Sequence, residues 1–351
     1  MAEYLNLEAN ITERLSSAFA LRHENYSDFG GNTSGSLSGR FDFTPRVALR
    51  GTVATAFRAP TLVQEHYAQI TSQYVDSALT ETGTFPVDST VAKLLGATQL
   101  KPETSRSASV GLVLNPLDPW YLTIDAFFIK IKDRINLSSN LDVSSDTVAD
   151  YLAANGVTAT YDAVRYFTNA VDTRTRGVEV VNQYGWTFGN GQKLDTVLSW
   201  SYNDNKVTKV HDTPAILSEL GITGTLVERR ERYGMLGDSN PRTKLDLGLD
   251  YTIDSHWSTS ANVNRYGWYK TYSNSGVQYD QWFGPRWTLD LSAKYAVGNW
   301  DFSVGANNIT DTRPGRVSAI NNTTGAYVYS LYSPLSWSGR YVYGRVGYSW
   351  K

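Results

Sequence analysis

Residues 286–309 read RWTLDLSAKYAVGNWDFSVGANNI, and this stretch decides the fold. In its first half Trp287, Leu289, Leu291, Ala293 and Tyr295 alternate with Thr288, Asp290, Ser292 and Lys294. In its second half Trp300, Phe302, Val304 and Ala306 alternate with Asp301, Ser303, Gly305 and Asn307. A period of two marks a strand with one apolar and one polar face. The short break Val297-Gly298-Asn299 between the two runs predicts a β-hairpin. Each run is about ten residues long, the length a tilted strand needs to cross a bilayer.

The same unit repeats along the chain. Strands are expected at 3–11, 15–26, 34–43, 47–58, 103–114, 120–135, 174–188, 193–207, 241–253, 257–269 and 340–350, besides the opening pair. Residues 164–171 are expected to extend the seventh strand outward, and 144–154 to form a short helix. The breaks alternate between short turns and long loops. That asymmetry is the mark of outer-membrane barrels, whose periplasmic turns are short and extracellular loops long. The expected fold is all-β, an antiparallel transmembrane β-barrel, partial, with about 12–14 long strands. Strands of a soluble sandwich or propeller average about five or six residues, roughly half the length seen here.

Composition agrees. The chain of 351 residues carries 23 Tyr, 10 Trp and 12 Phe, a load suited to interface girdles. Net charge is −2, which leaves no basic excess for nucleic acid. Cysteine is absent, a weak hint of export. No apolar run reaches the roughly 18 residues of a helical span. The N-terminal MAEYLNLEANITERL is strand-like from the start and carries no signal peptide pattern.

Seven segments, in order, carry a family resemblance. They are FRAPTL at 57–62, LKPETSRS at 100–107, DAFFIKIKDRI at 125–135, NAVDTRTRGVEV at 169–180, NPRTKLDLGL at 240–249, GANNITD at 305–311 and GRYVYGRVGYSW at 339–350. Together they resemble the C-terminal part of TonB-dependent outer-membrane receptors and cover nearly the whole chain. The resemblance implies a plugged barrel of about twenty-two strands. It also implies import of a scarce small molecule (a siderophore, cobalamin or an oligosaccharide) and location in the Gram-negative outer membrane. Residues 1–351 are then expected to be the C-terminal portion of the barrel. The plug domain through which the TonB complex acts is expected to lie outside this sequence. The last residue is Lys351, where the family usually ends on an aromatic. Implied partners are outer-membrane lipid and the barrel-assembly machinery; no cofactor and no enzymatic activity are implied. Two other functions compete: a complete small passive pore, and a soluble or surface β-protein for adhesion.

Candidate sites follow, each beside its plainer reading. Arg50, Arg58, Lys244 and Lys294 share the polar phase of their strands and are expected to face the lumen. There they would attract an anionic ligand or contact a plug, or else line a solvated wall paired with Asp246, Asp250 and Asp290. The aromatic run 266–287 holds Tyr266, Trp268, Tyr269, Tyr272, Tyr279, Trp282, Phe283 and Trp287, as a stacking surface for a ring-bearing ligand or as the extracellular girdle. Residues 228–233, ERRERY, are expected to be solvated. His23, His66, His211 and His256 show no metal-ligand spacing, so no metal site is expected. In the last strand Val342, Gly344, Val346, Tyr348 and Trp350 share one face. The resemblance makes that strand the signal read by the assembly machinery; the plainer reading, an ordinary lipid-facing strand, is compatible with it.

Overall fold

The computed structural model describes residues 1–27, 29–75, 78–322 and 328–350; the terminal Lys351 lies outside the described residues. The strands are β1 Ala2–Thr12, β2 Leu15–Tyr26, β3 Gly30–Thr44, β4 Val47–Arg58, β5 Gln69–Val75, β6 Ala78–Thr84, β7 Glu103–Leu114, β8 Trp120–Leu137, β9 Leu141–Asp142 and β10 Ala163–Arg165. They continue with β11 Phe167–Thr187, β12 Lys193–Val210, β13 Thr243–Thr252, β14 Trp257–Tyr266, β15 Tyr269–Thr271, β16 Gln281–Phe283, β17 Arg286–Val297, β18 Trp300–Asn307 and β19 Tyr341–Tyr348. Short helices α1 Leu62–His66, α2 Thr90–Leu94, α3 Asp146–Ala154 and α4 Ala215–Glu219 lie in the loops.

Thirteen strands form one sheet in the order β1-β2-β3-β4-β7-β8-β11-β12-β13-β14-β17-β18-β19. Every neighbouring pair in it is antiparallel. The period of two fixes the register, because a one-residue slip would turn every apolar side chain to the wrong face. Leu249, Ala261, Leu291, Ala306 and Val342 stand opposite one another across five strands. The next row, on the other face, is Asp250, Ser260, Ser292, Gly305 and Tyr343. The expected hairpin is present: Val297 pairs with Trp300, and Gly298 supplies the positive φ of 59° that the tight turn requires.

The apolar face is uncovered. Leu7, Val53, Val304 and Val346 are each more than half exposed, as lipid-facing positions of a membrane wall would be and a dry sandwich core would not. Aromatic pairs gather at the short-turn end: Tyr184–Trp186 at 4.4 Å, Trp257–Tyr295 at 4.7 Å and Trp300–Tyr348 at 4.7 Å between ring centroids. A belt of this kind is what the interface girdle of a membrane barrel would present. No described helix is long and apolar enough to cross a membrane. The edges β1 and β19 each pair on one side, and the wall is not closed on itself.

The buried core lies in the long loops. Val91, Leu95, Val148, Leu152, Tyr166, Leu217 and Val227 belong to one cluster that joins three of them. Above it β5, β6, β10 and β9 form a separate four-stranded sheet. The outer extension expected at 164–171 is therefore split. Ala163–Arg165 pairs with β6, and the wall strand β11 begins at Phe167. Likewise β14 stops at Tyr266, short of the expected 269. There the Gly267 amide donates to the Thr243 carbonyl at 2.8 Å, and a Cβ at Gly267 would meet Thr243 Oγ1 at 2.3 Å. The chain then turns into the small hairpin of β15 and β16. The helix α3 falls inside the expected 144–154.

Candidate functional site on the long-loop face

The aromatic run is divided by burial. Tyr269 is 1% exposed and stacks on Phe283 with centroids 4.6 Å apart and rings 11° from parallel. This pair is the core of the β15–β16 hairpin. Tyr272 is also buried, with Lys270 Nζ 4.2 Å and the Arg229 guanidinium 5.2 Å from its ring centre. Trp268, Tyr279 and Trp282 are exposed, at 59%, 42% and 62%. Lys270 Nζ lies 5.0 Å from the Trp282 ring centre, so one ammonium sits near a buried ring and an exposed one. Tyr266, on the polar face of β14, has Lys244 Nζ 5.7 Å from its ring centre.

Asp280 organises this cluster. Its carboxylate accepts hydrogen bonds from both terminal nitrogens of Arg229, from Lys270 Nζ at 2.8 Å and from the Ser273 amide at 3.0 Å. Burial opposes its ionisation, but the hydrogen bonds from Arg229 and Lys270 outweigh that and hold the carboxyl well below the usual range. Arg229 also donates to the Ser273 carbonyl at 2.9 Å, and Arg230 Nε to the Tyr272 carbonyl at 3.0 Å. The charged run 228–233 is thus not simply solvated. Two of its arginines clamp the helical segment Arg230–Asp238 and its approach to the aromatic hairpin. Glu231 lies in the same run. Burial, then the nearby charge of Glu228, pushes its carboxyl up to about 7.

The lumen-phase cations are already paired. Arg50 donates to Asp125 through Nε at 3.0 Å and Nη2 at 2.8 and 2.7 Å. Arg58 is hydrogen-bonded to Glu103, whose Oε1 also accepts the Ile135 amide at 2.8 Å. Lys244 reaches Asp246 at 3.8 Å, as expected. Lys294 pairs with Asp301 at 2.8 Å instead of Asp290, which accepts the Asn308 amide at 2.6 Å. In β19, Val342, Val346 and Tyr348 lie on the apolar face, and Trp350 follows the strand almost fully exposed.

One cluster carries no sequence signal. His211 Nε2 lies 3.2 Å from Asp172 Oδ1 and 3.9 Å from Asp133 Oδ1, which brings together three residues from separate segments. Asp172 Oδ1 also accepts the Asp133 amide at 3.0 Å. The Arg229–Asp280 clamp was equally hidden, since its members stand 51 residues apart.

A protein-family model described as TonB dependent receptor-like, beta-barrel, matches residues 2–309. Among solved structures the chain is similar to the siderophore receptor PirA from Acinetobacter baumannii, with TM-score 0.66 and 19% identity over 99% of this chain and 45% of that one. It is similar to the ferric enterobactin receptor PfeA from Pseudomonas aeruginosa (TM-score 0.64, 21% identity, 99% and 45% covered). It is also similar to the copper transporter OprC (TM-score 0.60, 17% identity, 99% and 48% covered). The chain thus spans less than half the length of these structures. Comparison with curated proteins gives no match. With the family pattern running from β1 to the end of β18, and a wall built as that pattern requires, the chain belongs to the TonB-dependent receptor β-barrel family.

Proposed function

We propose that this chain forms the C-terminal wall of an import receptor in a Gram-negative outer membrane. Its extracellular loop face then captures an anionic, ring-bearing small molecule of the ferric siderophore class. The observation that carries this reading is the set of exposed rings Trp268, Tyr279 and Trp282 within residues 266–287, with Lys270 Nζ 5.0 Å from the Trp282 ring centre. Flat rings stack on ligand rings, and Arg229 and Lys270 sharing the single carboxylate of Asp280 leave one net positive charge that favours an anion beside them. Tyr269 and Tyr272 act from beneath as framework, and Tyr266 with Lys244 lines the way into the lumen. Arg50 and Arg58 shape the wall electrostatics through their carboxylate partners. Capture is followed by entry when a plug domain outside this chain is moved by the TonB complex. The β19 face of Val342, Val346, Tyr348 and Trp350 serves insertion by the barrel-assembly machinery. The role is transport, with no catalytic step.

The test uses the receptor that carries this chain, expressed in a strain lacking its other siderophore receptors. Uptake of a radiolabelled ferric catecholate is measured for wild type, Trp268→Ala, Trp282→Ala and the double variant. Each lost ring is expected to weaken capture about threefold to tenfold. Unchanged uptake in the double variant, with the barrel intact, would overturn the assignment.

A further inference from the structure

The outward face carries a second feature at its extracellular edge. Arg106, Lys130, Arg174 and Lys206 stand directly opposite one another across β7, β8, β11 and β12. Their phase is that of the lipid-facing residues Val110, Ala126, Val178 and Tyr202, which lie four positions along each strand toward the short turns. Four like charges in one register row repel, because directly opposed side chains lie about 5 Å apart. One acid answers them in part: Asp204, which binds Arg174 at 2.9 Å and Arg176 at 3.0 Å. Lys130 and Lys206 feel Asp172 and Asp204 without closing a salt bridge to either. Among the described residues Arg106, Lys130, Lys132 and Lys206 enter no salt bridge, and all four are exposed.

Beside this row the outward face is hollowed. A half-enclosed recess of about 330 Å³ is lined by Arg106, Lys130 and Lys132 on one side and by Thr33, Thr55 and Thr104 on the other, with Phe57 in its wall. Three cations and three hydroxyls around a recess make an oxyanion site. Phosphate suits it best, because guanidinium and ammonium groups bind phosphate through charge-assisted hydrogen bonds. Toward the short turns on the same face come Val53, Val110, Ile124 and Phe128, all exposed. That apolar surface would lie against acyl chains while the recess holds a headgroup.

We propose that the recess between β3, β4, β7 and β8 binds a phosphate of an outer-leaflet glycolipid, a phosphorylated disaccharide carrying acyl chains. This rests on the outer-membrane reading above. The lipid supplies the missing counter-charge for the cationic row and fixes the rotational setting of this side of the barrel against the leaflet.

The experiment takes the detergent-purified receptor carrying this chain, stripped of lipid. Native mass spectrometry then follows the titration of bis-phosphorylated lipid A, its phosphate-free counterpart and inorganic phosphate. Wild type is expected to retain the phosphorylated lipid and not the phosphate-free one. The variant Arg106→Gln/Lys130→Gln/Lys132→Gln is expected to bind roughly a hundredfold more weakly, at about fivefold per cation removed. Retention should also fall as salt rises. If the triple variant loses heat-modifiable migration, Lys132→Gln alone carries the test, at about fivefold. Equal retention by wild type and variant, equal retention of the phosphate-free lipid, or displacement by millimolar inorganic phosphate would each overturn the proposal. A receptor absent from the outer-membrane fraction would instead overturn the reading on which it rests.

Discussion

A carboxyl that resists ionisation makes the long loop between β12 and β13 sensitive to pH. Glu231 is shifted up to about 7 from an ordinary 4.5, by burial first and by Glu228 second. Between those two values the folded loop holds a proton that the unfolded loop has released. The slope of stability with pH is therefore negative in this window: the loop is tightest below about pH 4.5 and loosens as pH rises through about 7. Tryptic cleavage within 228–239, referenced to an unstructured peptide at each pH, should accelerate over that range, and Glu231→Gln should flatten the dependence. Arg50 gives the opposite expectation. Its pair with Asp125 is well formed, but the arginine side chain is 44% exposed. Arg50→Ala should therefore cost less than about 1 kcal/mol of stability, measured by urea titration in detergent. At this scale the sequence located the rings of 266–287 but not their division into buried Tyr269 and Tyr272 and exposed Trp268 and Trp282. Burial there depends on Arg229 and Ser330, which are distant in sequence and carry no periodic pattern.

Strands read better than residues, because a wall strand writes its geometry into every second position. All thirteen wall strands were legible, and those from 103–114 and 15–26 have the expected bounds. The loop elements β5, β6, β9, β10, β15 and β16 were not. Several are only two or three residues long, too short for a period to show, and they exist because distant segments pair. Within the wall, glycine marks places where a neighbour lies across the strand. Gly177 stands opposite Phe127, and a Cβ there would meet the Phe127 Cζ at 2.6 Å and the Tyr202 carbonyl oxygen at 2.4 Å. The backbone carbonyl cannot move aside, so Gly177→Ala should cost about 1–3 kcal/mol in a urea titration. Gly189, in the turn after β11, has no atom within 4 Å of such a Cβ, and Gly189→Ala should leave the midpoint unchanged. Equal effects at the two sites would mean that packing against the wall is not what selects glycine.

Strand direction sets a condition on the whole molecule. The first turn is short, so β1 runs toward the short-turn end, and twelve antiparallel steps later β19 runs the same way. Joining β1 directly to β19 would make a parallel seam in an otherwise antiparallel wall, while leaving them apart exposes two rows of unpaired N–H and C=O groups. Each such group costs several kcal/mol in hydrocarbon. An odd number of further strands inserted between the edges satisfies both, because each edge then meets an antiparallel partner. The 351-residue chain refolded alone in detergent should therefore give concentration-dependent oligomers, with β1 open to protease. A receptor long enough to supply those strands should give a monodisperse, heat-modifiable barrel. A pair of substitutions decides the point, Leu7→Cys in β1 and Val346→Cys in β19, both on the exposed apolar face. Oxidation should leave them unlinked within one chain in either protein. High-yield intramolecular crosslinking in a monodisperse monomer of the short chain would mean that thirteen strands close by themselves.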